Sequence, residues 1–141
     1  MLTIEGFVID PPGDFKTEEM TVGLRQQQAH SGSSASLIVQ SKKARLGATV
    51  DELASEALTE LAQTLGKMNN LARTALTFAD GGTGAMLSFD WTTASGPMRQ
   101  YFVFRVNGDR LCTVTLTVPR EDVTPESAMP LMKAIASIRP A

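Results

Sequence analysis

The chain has 141 residues, a length that fits one domain. Hydrophobic residues make up 43% and charged residues 20%, which supports a sizeable core and excludes a disordered chain. A net charge of -2 argues against a surface built to track nucleic-acid phosphates.

Residues 2–9 read as a short strand stopped by Pro11-Pro12-Gly13. This opening stretch has no basic start and carries Glu5 and Asp10 among its apolar residues, so no secretory signal is expected. No run approaches the ~18 apolar residues of a membrane span. The expectation is a soluble cytoplasmic protein with no direct membrane insertion.

Residues 20–28, "MTVGLRQQQ", alternate as a strand, with Val22 and Leu24 on one face. "AHSGSSA" follows as a loop. The strand at 34–40 is peculiar. Ala35, Leu37 and Val39 form one apolar face, whereas Ser36, Ile38 and Gln40 make the other small, branched and amide-bearing in turn. A face that is half greasy and half polar needs a reason.

"SKKAR", Ser41 to Arg45, reads as a solvated loop. The spacing of Leu53, Ala54, Ala57, Leu58, Leu61, Ala62 and Leu65 predicts an amphipathic helix over 50–65. Thr49 and Glu52 form its capping box and Gly66 its stop.

Four strands follow. The first covers 72–79. "DGGTG" at Asp80 to Gly84 is a turn; it lacks the lysine of a phosphate loop and precedes a strand. "AMLSFDWTT" then places Ala85, Leu87, Phe89 and Trp91 inward. The hairpin "RQYFVFRVNGDRLCTVTLTVP" contains Asn107-Gly108. A two-residue turn there would set Phe102 and Phe104 beside Thr113 and Thr115. An odd loop, Val106-Asn107-Gly108 with a left-handed Gly108, would set them beside Cys112, Val114 and Leu116. Hydrophobic pattern fixes register, so the odd loop is the expectation. A last helix opens at Thr124 and Pro125, with Leu131, Ala134, Ile135 and Ile138 as its stripe. Short links between strands predict a mainly antiparallel sheet with helices packed on it, an α+β fold in a single domain over 1–141.

No convergent catalytic group is legible. The one histidine, His30, sits in a Ser/Gly loop, and there is one cysteine, Cys112, read as a core residue. A lone histidine makes no multi-histidine metal site, and no G-x-S-x-G elbow is present. Binding rather than catalysis is expected, with no metal and no cofactor. Met20, Met86 and Met98 add adaptable apolar groups, and Gln26, Gln27, Gln28, Gln40 and Gln100 add amides on or near strands.

These segments, in this order, resemble the DcrB-related, PsbP-like bacterial family, and within it the Eag chaperones of type VI secretion. The resemblance runs from about Thr3 to Ile138. It is carried by Ile9–Pro12, "MTVGL", "SASLIVQS" before a long helix, "AMLSFDW", the run from Trp91 to Thr117, and the closing "SIRP". It implies a strongly bent antiparallel sheet with helices against it, an α/β sandwich. It also implies a cytoplasmic homodimer that shields the N-terminal transmembrane helices of a secreted PAAR or Rhs-type effector until loading.

By the same resemblance, Val22, Leu24, Ser36, Ile38, Gln40 and Gln100 are the client-binding residues. Gln40 stands where the family pattern has a small hydroxyl residue. Such a role would explain the mixed strand. A membrane helix in water needs apolar area against it, at ~25 cal/mol per Å² buried, together with small residues and hydroxyl or amide groups. Ser36, Ile38 and Gln40 supply all three. The alternatives are a DcrB-like protein-interaction domain without such clients, and a small-molecule binder that uses the sheet as a pocket.

Overall fold

The computed structural model describes residues 2–4, 6–10, 16–22, 24–30, 36–45, 47–65, 67–93, 96–120, 123 and 125–140. For 2, 16–22, 24–30, 36, 93 and 125–128 it describes the backbone alone. The strands are β1 (Leu2–Ile4), β2 (Phe7–Ile9), β3 (Lys16–Val22), β4 (Leu24–His30), β5 (Ser36–Lys43), β6 (Asn69–Thr77), β7 (Thr83–Thr93), β8 (Gly96–Asn107), β9 (Arg110–Pro119) and β10 (Arg139–Pro140). The helices are α1 (Val50–Leu65) and α2 (Pro125–Ala136). A seven-stranded sheet has the order β3-β4-β5-β9-β8-β7-β6, and a small sheet the order β1-β2-β10. Every described strand pairing is antiparallel, so the α+β expectation holds.

One face of the large sheet is sealed. Strand alternation sends Leu37 and Val39 of β5, Cys112, Val114, Leu116 and Val118 of β9, and Val103 of β8 to this side, where all are buried. They pack with Ile4, Phe7 and Ile9 of the small sheet and with Leu131, Ile135 and Ile138 from the α2 end of the chain. The α2 stripe is the one its spacing predicted. Arg105 is the buried cation of this layer, 6% exposed. Its guanidinium bonds both carboxylate oxygens of Asp80, at 2.9 and 2.7 Å, donates to the Ile138 carbonyl, and lies 4.6 Å over the Phe78 ring. A buried charge persists only when paired in this way.

The other face carries α1. Thr49 Oγ1 accepts the Glu52 amide at 3.1 Å, which caps the helix as its sequence predicts. Ala54 is fully buried against Ala85, Leu87, Phe104 and Leu111. Arg73 of β6 ties the helix down, with Nη1 donating to Ser55 Oγ at 2.8 Å and Nη2 to the Asp51 carbonyl at 2.7 Å. Most of the α1 stripe, including Leu53, Ala57, Leu58, Leu61 and Leu65, is only half-buried, and Ala62 is exposed.

Several expectations are corrected. Ala29 and His30 of "AHSGSSA" and Ser41 to Lys43 of "SKKAR", expected in loops, end β4 and β5, and Ser41 is buried. The single strand at 2–9 is two, β1 and β2, paired through Ile4↔Phe7 and meeting at Gly6, whose φ of 82° is a left-handed turn position. The single strand at 20–28 is the meeting of β3 and β4, so Val22 and Leu24 are register partners across a hairpin. The β8–β9 loop is even, Gly108-Asp109, with Asn107↔Arg110 and Phe104↔Thr113 in register. Gly108 is left-handed as expected, at φ 62°, the first position of a two-residue hairpin turn. The parity rule failed because it assumed one buried face. Here both faces are covered, and the phenylalanines pack toward α1 with the threonines beside them. The short β10 carried no period for a sequence to show.

Candidate functional site

Three register rows cross the face that carries α1. The first is Gln40, Thr113, Phe104, Ala85; the second Ile38, Thr115, Phe102, Leu87; the third Ser36, Thr117, Gln100, Phe89. The first and third rows run from an apolar residue on β7 to an amide or hydroxyl residue on β5, and the second reaches Ile38 after the hydroxyl of Thr115. Ala85, Leu87 and Phe89 are buried, whereas Ile38, Gln40, Thr113 and Thr115 are half-buried. Phe89 and Phe102 stack with centroids 6.0 Å apart. The helix covers the β7 end of the rows and stops short of the β5 end.

The gap is a hollow of about 260 Å³ between the helix and the sheet. Ala57, Leu61 and Thr64 of α1, with Glu60, line one wall; their i, i+3, i+4, i+7 spacing is one helix face. Phe102, Phe104, Thr113, Thr115 and Gln40 form the floor, and Lys42 sits at the rim. Aromatic and aliphatic carbons therefore alternate with three hydroxyls and an amide. This chemistry suits an apolar segment that also offers hydrogen-bonding groups.

The six sequence candidates are placed unevenly. Gln40 lines the hollow. Ile38 stands in the adjacent row as partner of Thr115 and is half-buried. Gln100 is buried in the third row, 8% exposed. Ser36 shares that row through Thr117, but its side chain lies outside the described residues. The side chains of Val22 and Leu24 also lie outside them. In register, β4 presents Gln28 to Ile38 and Gln26 to Gln40, so the backbone does not set Leu24 opposite either. His30 is the partner of Ser36, with its side chain likewise outside the described residues.

The threonines were missed as site residues. Their signal is visible in "CTVTLTVP", where Thr113, Thr115 and Thr117 alternate with buried Val and Leu, but the odd-loop parity turned them away from the phenylalanines.

Behind the third row the sheet end is clamped. Asp90 of β7, 8% exposed, accepts Asn70 Nδ2 at 2.7 Å and Arg99 Nε and Nη2 at 2.8 and 3.2 Å, and also pairs with Arg120. Asn70 holds a left-handed φ of 55° at the register shift of β6. Asn70, Asp90 and Arg120, with Asn69, Trp91, Thr92 and Pro97, line a second, polar hollow of about 420 Å³. The neighbouring Trp91 Nε1 donates to Gln100 Oε1 at 2.7 Å. Cys112, on the sealed side, has its thiol pushed up to about 12 by burial. Among the described residues no three His, Cys, Asp or Glu side chains are placed to hold a metal, and no helix is long and apolar enough to cross a membrane.

No family model and no curated protein matches the sequence. Among solved structures, the chain is similar to the cyanobacterial PsbP (CyanoP) of Synechocystis sp. PCC 6803. The TM-score is 0.71 at 13% identity, over 97% of this chain and 88% of that one. It is also similar to PA94 of Pseudomonas aeruginosa, a protein of unknown function, with a TM-score of 0.65 at 16% identity over 90% and 83% of the two chains. At such identities the likeness is one of backbone architecture. The chain thus has a PsbP-like α+β fold, as its segment order implied.

Proposed function

We propose that the protein is a non-catalytic chaperone whose mixed sheet face shelters apolar helices of another protein. Following the resemblance of its segments, the client is the N-terminal membrane-helix region of a type VI secreted effector, held by a cytoplasmic homodimer before loading. The observation that carries this reading is the graded face. Its rows pass from apolar carbon under α1 to Gln40, Thr113 and Thr115 in an open hollow. A purely structural face would be covered, and a solvated one would not keep Phe102, Phe104 and Ile38 in the same rows.

The size of the hollow sets how a client would sit. A helix is ~10–12 Å across and cannot enter a space of about 260 Å³. It would lie over the face and drop single side chains into the hollow, each Leu or Phe contributing ~1.5–3 kcal/mol by burial. Hydroxyls on the floor would meet Ser, Thr or freed backbone groups of the client.

Co-expression with the N-terminal region of a genomically adjacent effector tests the proposal. A stoichiometric complex is expected, and Leu24→Asp with Ile38→Asp should abolish it while leaving the chaperone folded. Survival of the complex in that double variant would refute the assignment of this face. A second reading, a small-molecule binder, draws on the polar hollow at Asn70, Asp90 and Arg120. Thermal stabilisation by a small polar metabolite, lost in Arg120→Ala but kept in Ile38→Asp, would favour it.

A further inference from the structure

Gln100 is a candidate client contact whose amide has two chemically opposite ends, and the structure fixes which end is spent. Trp91 Nε1 lies 2.7 Å from Gln100 Oε1. An indole N–H donates and never accepts. The oxygen of the amide must therefore face the indole, and a flip of the amide would set N–H against N–H. The amide nitrogen is left with no acceptor among the described residues, although Gln100 is only 8% exposed. A buried donor without a partner is costly, ~1–3 kcal/mol, and retains its place where something else supplies the acceptor.

The pair sits on two paired strands. Trp91 follows Asp90, which is clamped by Asn70, Arg99 and Arg120, and it is the register partner of Met98, one row beyond Gln100. On the other side the row continues to Thr117 and then Ser36 on β5. The donor thus belongs to the same face as the hollow.

We infer that Trp91 is a positioning residue that makes Gln100 an obligate hydrogen-bond donor, so that this face selects helices carrying an acceptor at the contact. A Ser or Thr hydroxyl oxygen qualifies. So does a backbone carbonyl released where Pro or Gly interrupts a helix. A group that can only donate, or a bare aliphatic surface, does not. The inference rests on the helix-sheltering reading of the face and adds the polarity of its recognition.

The test uses the full chain and synthetic 20-residue Leu/Ala helices with Lys ends, carrying Ser, O-methylserine or Val at the centre. O-methylserine accepts but cannot donate. The wild-type chain should retain the Ser and O-methylserine helices about three- to five-fold better than the Val helix, the worth of one hydrogen bond in apolar surroundings. In Trp91→Phe the amide is free to turn over. Ser can then donate to its oxygen and keeps its advantage, whereas the O-methylserine advantage shrinks. A merely structural role for Trp91 would lower retention of all three helices together, and that result overturns the inference. Equal wild-type retention of the three helices overturns it as well, while leaving helix sheltering intact. Failure to retain any of them overturns both. Independently of any client, the Trp91 indole proton should be slow to exchange in the free protein and become fast in Gln100→Met. A fast wild-type proton would refute the bond.

Discussion

The two faces of the large sheet are made by the same strands and behave as opposites. On β9, Cys112, Val114, Leu116 and Val118 are buried under the small sheet and α2. Between them Thr113, Thr115 and Thr117 face α1 and stay half-buried. One side is closed by two elements and filled with branched aliphatics. The other is closed by a single helix that reaches only part of the way. The larger buried cluster lies on the first face, which leaves the second free to hold side chains suited to contact as well as to packing.

Thiol chemistry should separate the faces most sharply. At pH 8 a thiol pushed up to about 12 is ionised roughly a thousand-fold less than an ordinary one. Native Cys112 should resist iodoacetamide until the chain unfolds. In Thr115→Cys the introduced thiol, one row into the hollow, should react within minutes. Equal rates at the two positions, measured by mass spectrometry, would erase the distinction between closed and open faces.

Stability should divide along the same line. Leu116→Ala removes a fully buried side chain from the closed face and should cost about 2–5 kcal/mol in denaturant unfolding. Thr115→Ala, its chain neighbour on the open face, should cost under ~1 kcal/mol. Similar losses for the two variants would mean that α1 seals its side as fully as α2 seals the other.

A smaller effect concerns acid. The Asp80 carboxyl is held down to about 2, chiefly by hydrogen bonds from the Arg105 guanidinium and then by the Gly82 amide. Its folded value lies below its ordinary 3.8. The stability it contributes is therefore complete above about pH 4 and is lost as pH falls toward 2. Thermal melts should fall across that window in the wild type and fall less in Asp80→Asn, which starts from a lower plateau because Arg105 stays buried with its partner charge removed. Parallel wild-type and variant profiles would remove Asp80 from the closed face's ledger.

The smallest change is the most specific. Thr113→Val with Thr115→Val keeps shape and removes two hydroxyls from the floor of the hollow. Unfolding should shift by no more than ~0.5 kcal/mol. Retention of a Ser-bearing helix should nevertheless drop in part and stay above that of a Val-bearing one, because the Gln100 donor remains. Unchanged retention would leave polar recognition to the amides Gln40 and Gln100 on this face.

Much of this was legible in the chain. The α1 stripe with its Thr49–Glu52 cap, the α2 stripe, and the alternation of β5, β7, β8 and β9 are local patterns, and local patterns survive folding. Ile38 and Gln40 stood out because one strand face failed to sort into apolar or polar. Less visible were the antiparallel pairing of β3 with β4, where the alternation runs on from Val22 to Leu24, and the pairing of Phe104 with Thr113.

The sequence by itself determined the two helices, the strands from β5 to β9 and the antiparallel α+β class, because periodicity and turn residues act over a few positions. Only the tertiary structure decided which face each strand turned to which helix, how far α1 extends across its rows, and that the Trp91 indole meets the Gln100 amide. Those facts depend on register between strands far apart in the chain. Where both sides of a sheet are covered, hydrophobicity alone does not choose between one register and the next.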